Sequence, residues 1–204
     1  LKLQIFLHSP EFAQKFPKAT IYLDEGSMNN HIEKLRQGAL DLCYNALPAP
    51  DPTSQLKLIP TSTAEIYATM LPSHPLAVFE KIDLHQLSDT DIILLDAKSC
   101  IQGQIMEEFQ RLGILPRIRS THEQIFCMLN MVKLGNFVGF LNASDPIMRQ
   151  NLTDIGLIIR PLDPPVTFAT GFIVNTSRHL PKLAEELIRF TRRLEAEEAA
   201  QKAR

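Results

Sequence analysis

The 204 residues, 45% apolar and 22% charged, can bury one good core or two modest lobes, and the composition suggests neither disorder nor a fibre. With 21 Lys and Arg against 23 Asp and Glu, a net charge of −2 leaves no general excess of positive charge to attract phosphate, so any DNA contact belongs to another segment. Three cysteines, Cys43, Cys100 and Cys127, are too few and too far apart for a disulfide framework or a metal site, and no apolar run approaches the ~20 residues of a membrane span.

Short apolar, β-rich stretches alternate with helix-period stretches along the chain. Strands are expected at 3–6 and 20–23, then a helix at 29–37 capped by Ser27 and stopped by Gly38, then a strand at 42–44. Pro48, Pro50 and Pro52 make 46–53 an irregular connection. Further on come a β-rich run at 66–71, a strand at 92–95, helices at 102–112 and 123–134 followed by Gly113 and Gly135, and a strand at 138–141. A second proline-rich connection at 163–165 precedes a strand at 168–174 and a helix at 181–194 opened by Pro181, and the charged, alanine-rich tail 195–204 extends that helix into solvent. This alternation argues for an α/β fold with largely parallel sheets. Because the chain opens at Leu1 in an apparent strand, without an initiator Met, we expect a domain rather than a whole protein.

The common signatures of catalysis are missing: there is no G-x-S-x-G, no P-loop and no G-x-G-x-x-G. His122-Glu123 resembles the start of a zinc-protease helix, but Phe126 stands where the second histidine belongs, and the other histidines are scattered. Gly135 and Gly139 fit G-x-x-x-G only across a helix-to-strand turn. No enzyme activity, metal or cofactor is therefore expected.

Several segments, in order, resemble the effector-binding domain of LysR-type transcription regulators. They are a helix ending Phe16-Pro17, then Ile21-Tyr22-Leu23-Asp24-Glu25-Gly26-Ser27, Leu35-Arg36-Gln37-Gly38-Ala39-Leu40-Asp41-Leu42, His74-Pro75-Leu76-Ala77, Gly113 with Pro116, and Met131-Val132-Lys133-Leu134-Gly135 leading into Val138-Gly139-Phe140-Leu141. The resemblance implies an α/β fold of two Rossmann-like lobes, periplasmic-binding-protein-like (type 2), with a ligand cleft between them. Lobe I would comprise 1–70 plus 170–204 and lobe II 75–167, with crossings at 66–71 and 167–174; the DNA-binding helix-turn-helix would lie in an N-terminal segment not present here. It further implies a cytoplasmic homodimer or tetramer formed through the helices at 29–37 and 123–134, with no membrane association. Two features depart from the family pattern: a first crossover, Phe6 to Ala19, that is short for a βαβ unit, which puts Leu7, His8 and Ser9 in question, and Phe137 and Asn142 where the family has glycine and proline.

In such sheets ligands collect at the carboxyl ends of strands, where helix N-termini offer unpaired N–H groups and partial positive charge. Ser27 and Ser99, each before a helix, would cradle an anion such as a carboxylate; Cys100 and Ile101 would line the same loop, Phe140 an apolar wall, and Asn45 the end of its strand. Ser27 also reads as a plain N-cap, Phe140 equally as core, and Cys100 alternatively as a redox sensor with only Lys98 near it in sequence. The function expected is that of an effector-sensing domain binding a small, anionic metabolite and controlling DNA binding allosterically; the alternatives are a solute-binding protein of a transport system and, more remotely, an enzyme on a similar fold.

Overall fold

A computed structural model describes residues 9–26, 28–46, 55–97 and 99–202. In chain order the first elements are α1 (Pro10–Lys15), α2 (Met28–Gln37), β1 (Cys43–Asn45), β2 (Leu56–Met70), β3 (Asp91–Leu95), α3 (Cys100–Arg111) and β4 (Arg117–His122). There follow α4 (Ile125–Gly135), β5 (Val138–Asn142), α5 (Pro146–Asp154), β6 (Ile158–Pro161), β7 (Thr167–Asn175) and α6 (Lys182–Lys202). The chain divides into two compact units, Leu1–Ser62 with Ala169–Arg204, and Thr63–Phe168, and passes between them within β2 and β7.

In the first unit, α1 starts where Ser9 Oγ accepts from Phe12 N–H at 3.1 Å and Pro10 takes the first helical position. Phe12 and Phe16 then pack on Phe190 of α6, ring centroids 6.0 and 6.4 Å away. β1 runs antiparallel to β7, Cys43 opposite Ile173. α2 ends as the sequence predicts: Gly38 has φ 75°, Ala39 N–H donates to the Lys34 carbonyl at 2.8 Å, and the Arg178 guanidinium donates to the Gln37 carbonyl at 3.0 Å. That guanidinium fills the space a side chain on Gly38 would need.

The strand expected at 20–23 is not among the strands of the described residues. Residues 20–26 carry no strand pairing, and Tyr22 and Leu23 are exposed. A β-rich run becomes a strand only when a neighbour takes its N–H and C=O groups. The strand expected at 3–6 lies outside the described residues, as do Ser27, Leu7, His8, Lys98 and the prolines of 47–54. The charged tail continues α6 to Lys202, and Glu195 within it is buried rather than solvated.

The second unit is a five-stranded sheet in the order β4-β3-β5-β2-β6. Its β4, β3 and β5 are parallel, whereas β2 is antiparallel to both β5 and β6. Four of the five strands therefore run the same way, β6 being reached from β5 through α5, and β2 alone runs against them, which makes the sheet mixed. After Asp91, β3 is apolar to its end and buried at Ile92, Ile93 and Leu94, as a strand covered on both faces must be. Against one face α3 sets Ile105 and Phe109, packed with Ile92, Leu94, Val138 and Phe140. Against the other α4 sets Met128, Leu129 and Val132, packed with Ile93 and Leu141. The left-handed residue closing α4 is Asn136, φ 54°, and not Gly135, which is the last helical residue. β4, α5 and β6 were not anticipated; β4 in particular is an edge strand whose Arg117 and Arg119 both reach Asp91, so its alternation carries charge where a buried strand would carry apolar residues.

Phe140 is fully buried and meets Phe109 edge-on, centroids 6.3 Å apart. Phe140→Ala is expected to lower the stability of this unit by about 3–5 kcal/mol in urea titration, the cost of an aromatic core cavity.

Candidate functional site

The parallel strands β3, β4 and β5 end on one edge of the second unit, and the helices that follow them begin there. β3 and β4 pair to their last residues, Leu95 opposite His122, and the Asp96 N–H extends the pairing to the His122 carbonyl at 2.9 Å. The loop then turns back, Ser99 N–H donating to the Asp96 carbonyl at 2.9 Å, and α3 starts at Cys100. Its first intrahelical bond among the described residues runs from Gly103 N–H to the Ser99 carbonyl at 3.1 Å, and the N–H groups of a helix's first turn have no acceptor within the helix itself.

Ser99 sits at the N-cap with extended backbone, φ −79° and ψ 127°, as a capping serine does, yet its hydroxyl makes no cap bond. Gln124 at the N-cap of α4 makes none either. The neighbouring α5 is ordinary by contrast: Asp145 Oδ1 accepts from Ile147 N–H at 2.8 Å. Two helix N-termini therefore stand without side-chain caps over the ends of adjacent strands, a backbone arrangement that favours negative charge. Around them, Ser120 Oγ lies 2.9 Å from His122 Nε2, and Ser144 Oγ accepts from Glu65 N–H at 3.3 Å.

Of the six residues predicted from sequence, Ser99, Cys100 and Ile101 come together at the start of α3. Ile101 also packs on the core of its unit. Phe140 belongs to that core: as a central strand residue under α3 it offers a ligand no surface, which corrects its assignment as an apolar wall. Asn45 lies in the first unit at the exposed end of β1, its Oδ1 accepting from Ala46 N–H at 2.8 Å, and Ser27 lies outside the described residues. Ser9 is spent on the cap of α1.

Sequence reading missed two groups. Gln102, three residues after Ser99, has a buried Oε1 with no hydrogen-bond donor; the Ser-x-x-Gln spacing was the signal for it. In the first unit Tyr44 hydroxyl reaches Thr61 Oγ1 at 3.1 Å and Ser62 Oγ at 3.3 Å, and Ser62 Oγ reaches Thr170 Oγ1 at 2.8 Å. That cluster forms only when β1, β2 and β7 assemble, so no local pattern announced it. Among the described residues no cluster of three or more His, Cys, Asp or Glu is placed to hold a metal, and no helix is long and apolar enough to cross a membrane.

Burial pushes the Cys100 thiol above its ordinary range, and likewise Cys43. A raised thiol pKa means less thiolate at neutral pH and a slower nucleophile, the opposite of what a redox sensor needs.

Comparison with known proteins agrees with this architecture. A family model described as the LysR substrate binding domain matches residues 8–196. The chain is 28% identical over 109 residues to a probable hydrogen peroxide-inducible genes activator of Mycobacterium avium, covering 53% of this chain and 34% of that protein. It is 25% identical over 144 residues to the uncharacterized HTH-type transcriptional regulator YybE of Bacillus subtilis, covering 71% of this chain and 49% of that one. The chain thus spans about half or less of the length of these relatives. Among solved structures, the effector binding domain of QuiR in complex with shikimate superposes with a TM-score of 0.77 at 18% identity, covering 95% of this chain and 93% of that one. The superposition establishes the fold.

At neutral pH, iodoacetamide is expected to label the exposed Cys127 first and Cys100 roughly tenfold more slowly, with Cys100 catching up only in alkali, as followed by peptide mass spectrometry. Labelling of Cys100 ahead of Cys127 at neutral pH would reinstate a reactive thiol.

Proposed function

The chain belongs to the LysR substrate-binding-domain family, and from that premise we propose that it is the sensing domain of a cytoplasmic transcription regulator, without catalytic activity. It binds a small carboxylate at the carboxyl edge of the second unit and passes the binding on to a DNA-binding segment elsewhere in the regulator. The observation that carries this reading is Ser99: an N-cap serine whose hydroxyl makes no cap bond, at a helix end with N–H groups to spare. A carboxylate oxygen completes that end as a capping side chain would. The shikimate bound by the QuiR domain is itself a carboxylate, which supports the ligand class. Control of DNA requires only that the ligand bind one conformation of the regulator better than another.

The same regulator assembles, in this reading, as a dimer through α2 and α4. Phe126 and Leu134, eight residues apart on α4, are 71% and 82% exposed, a pair of large apolar side chains on one helix face that water does not favour.

Two measurements test these points. A thermal-shift screen against small carboxylates should give a saturable rise in melting temperature that Ser99→Ala abolishes. Unliganded Ser99→Ala should lose well under the ~1 kcal/mol of an ordinary cap, since no cap bond exists to remove; a full loss without any ligand effect would make Ser99 a plain cap and sink the site. In sedimentation the chain should run as a dimer that Leu134→Glu converts to monomer, and a monomeric parent chain would dispose of the α4 interface.

A further inference from the structure

Tyr44, Thr61, Ser62 and Thr170 join three strands of the first unit through their hydroxyl groups. The Tyr44 hydroxyl lies 3.1 Å from Thr61 Oγ1 and 3.3 Å from Ser62 Oγ. Ser62 Oγ lies 2.8 Å from Thr170 Oγ1, which donates to the Ser62 carbonyl at 3.4 Å. All four protons can stay within the cluster: Thr61 donates to Tyr44, Tyr44 to Ser62, Ser62 to Thr170, and Thr170 to the carbonyl. Because β7 lies between β1 and β2, Tyr44 reaches across it, with its ring edge-on to Phe172, centroids 5.2 Å apart.

The cluster stands where backbone ties between β2 and β7 are disturbed. Pro60 brings no N–H to the ladder, and a side chain on Gly171 would run into the Ile59 carbonyl oxygen, so glycine alone lets the two backbones come this close. It also stands at the last residues of the first unit, which the chain leaves after Ser62 and re-enters at Ala169. The second unit takes hold of β2 at Glu65, whose N–H donates to Ser144 Oγ at 3.3 Å, and at Ile66, whose N–H donates to the Val166 carbonyl at 2.9 Å. It takes hold of β7 at Phe168, which packs on its core. Between these holds and the hydroxyl cluster lie Thr63 and Ala64 on β2 and Ala169 on β7.

We propose that the four hydroxyls are a clasp: they hold β1, β2 and β7 as one body as far as Ser62 and Thr170, and so confine bending between the units to Thr63, Ala64 and Ala169. A hinge needs a few residues that absorb the change in φ and ψ, bounded by segments that do not. Apolar side chains in these places would pack, but hydrogen bonds run only in set directions, and a closed chain of them fixes three strands at once. With the clasp made, a change in either unit turns the chain about one pivot. Without it, the same change is spread along β2 and β7.

The test is the distribution of distances between two nitroxide labels on the whole chain, measured by pulsed dipolar spectroscopy. The labels go on Asn151→Cys and Arg192→Cys, one exposed position in each unit, in a parent that carries Cys100→Ser and Cys127→Ser and keeps the buried Cys43. Excess unlabelled chain removes distances between copies. The parent should give a narrow distribution. Tyr44→Phe with Thr170→Val, which deletes two hydroxyls and keeps both shapes, should broaden it about twofold. Thr176→Val deletes a bond outside the clasp, from Thr176 Oγ1 to the Gln55 carbonyl at 2.9 Å, and should leave the width unchanged. Because Tyr44→Phe keeps the ring on Phe172, that single variant repeats the measurement if the pair melts too low. A parent distribution as broad as the variants', an unchanged width when the clasp hydroxyls are removed, or equal broadening by Thr176→Val overturns the proposal.

Discussion

One backbone hydrogen bond, Ser99 N–H to the Asp96 carbonyl at 2.9 Å, governs the character of the site. It takes the donor that would otherwise hold Gln102 and so keeps the start of α3 from closing on itself. The turn that makes this bond is in turn anchored by the Asp96 N–H on the His122 carbonyl, a continuation of the β3–β4 pairing by one residue. That pairing exists because β3 is apolar on both faces and must lie in the middle of a covered sheet. Core burial thus reaches the helix end through strand register and a two-bond loop.

Such a site is built on rigid elements. α3 is fixed by Ile105 and Phe109 against the sheet, and α4 approaches the other face closely because Gly139 has no side chain to meet Val132 and Thr69. Phe140 serves the same end from within: buried against Phe109, it holds α3 in place. The groups argued to bind are backbone N–H and uncharged side chains, which keep their positions without the rotamer entropy of long cationic chains. Selectivity then comes from matching donors to acceptors at fixed points, where an unmatched buried group is costly.

Much of this was legible in the sequence because it is local. The α/β class followed from period and punctuation, Gly38 from the need for a left-handed helix stop, and Ser99 from its place between an apolar strand and an amphipathic helix. What failed was not local. The run at 20–23 has strand composition but no described partner; β4 hides its periodicity under arginines held by Asp91; and Phe140 reads alike as wall or core until the packing of α3 is known. Gln102 went unread although its spacing from Ser99 is that of a capping box, and only the structure shows that the box is not made.

The edge that holds α3's open end is also the edge by which the chain enters and leaves the second unit. β2 pairs with the end of β5, Ile66 opposite Asn142, and Ile66 N–H donates to the Val166 carbonyl at 2.9 Å just before β7 begins. Under the proposed function, a ligand held at Ser99 binds on the edge where the two strands that connect this unit to the rest of the protein enter and leave it. Its leverage over them is bounded by its difference in affinity between the conformations available, so a ligand held loosely in all of them signals nothing.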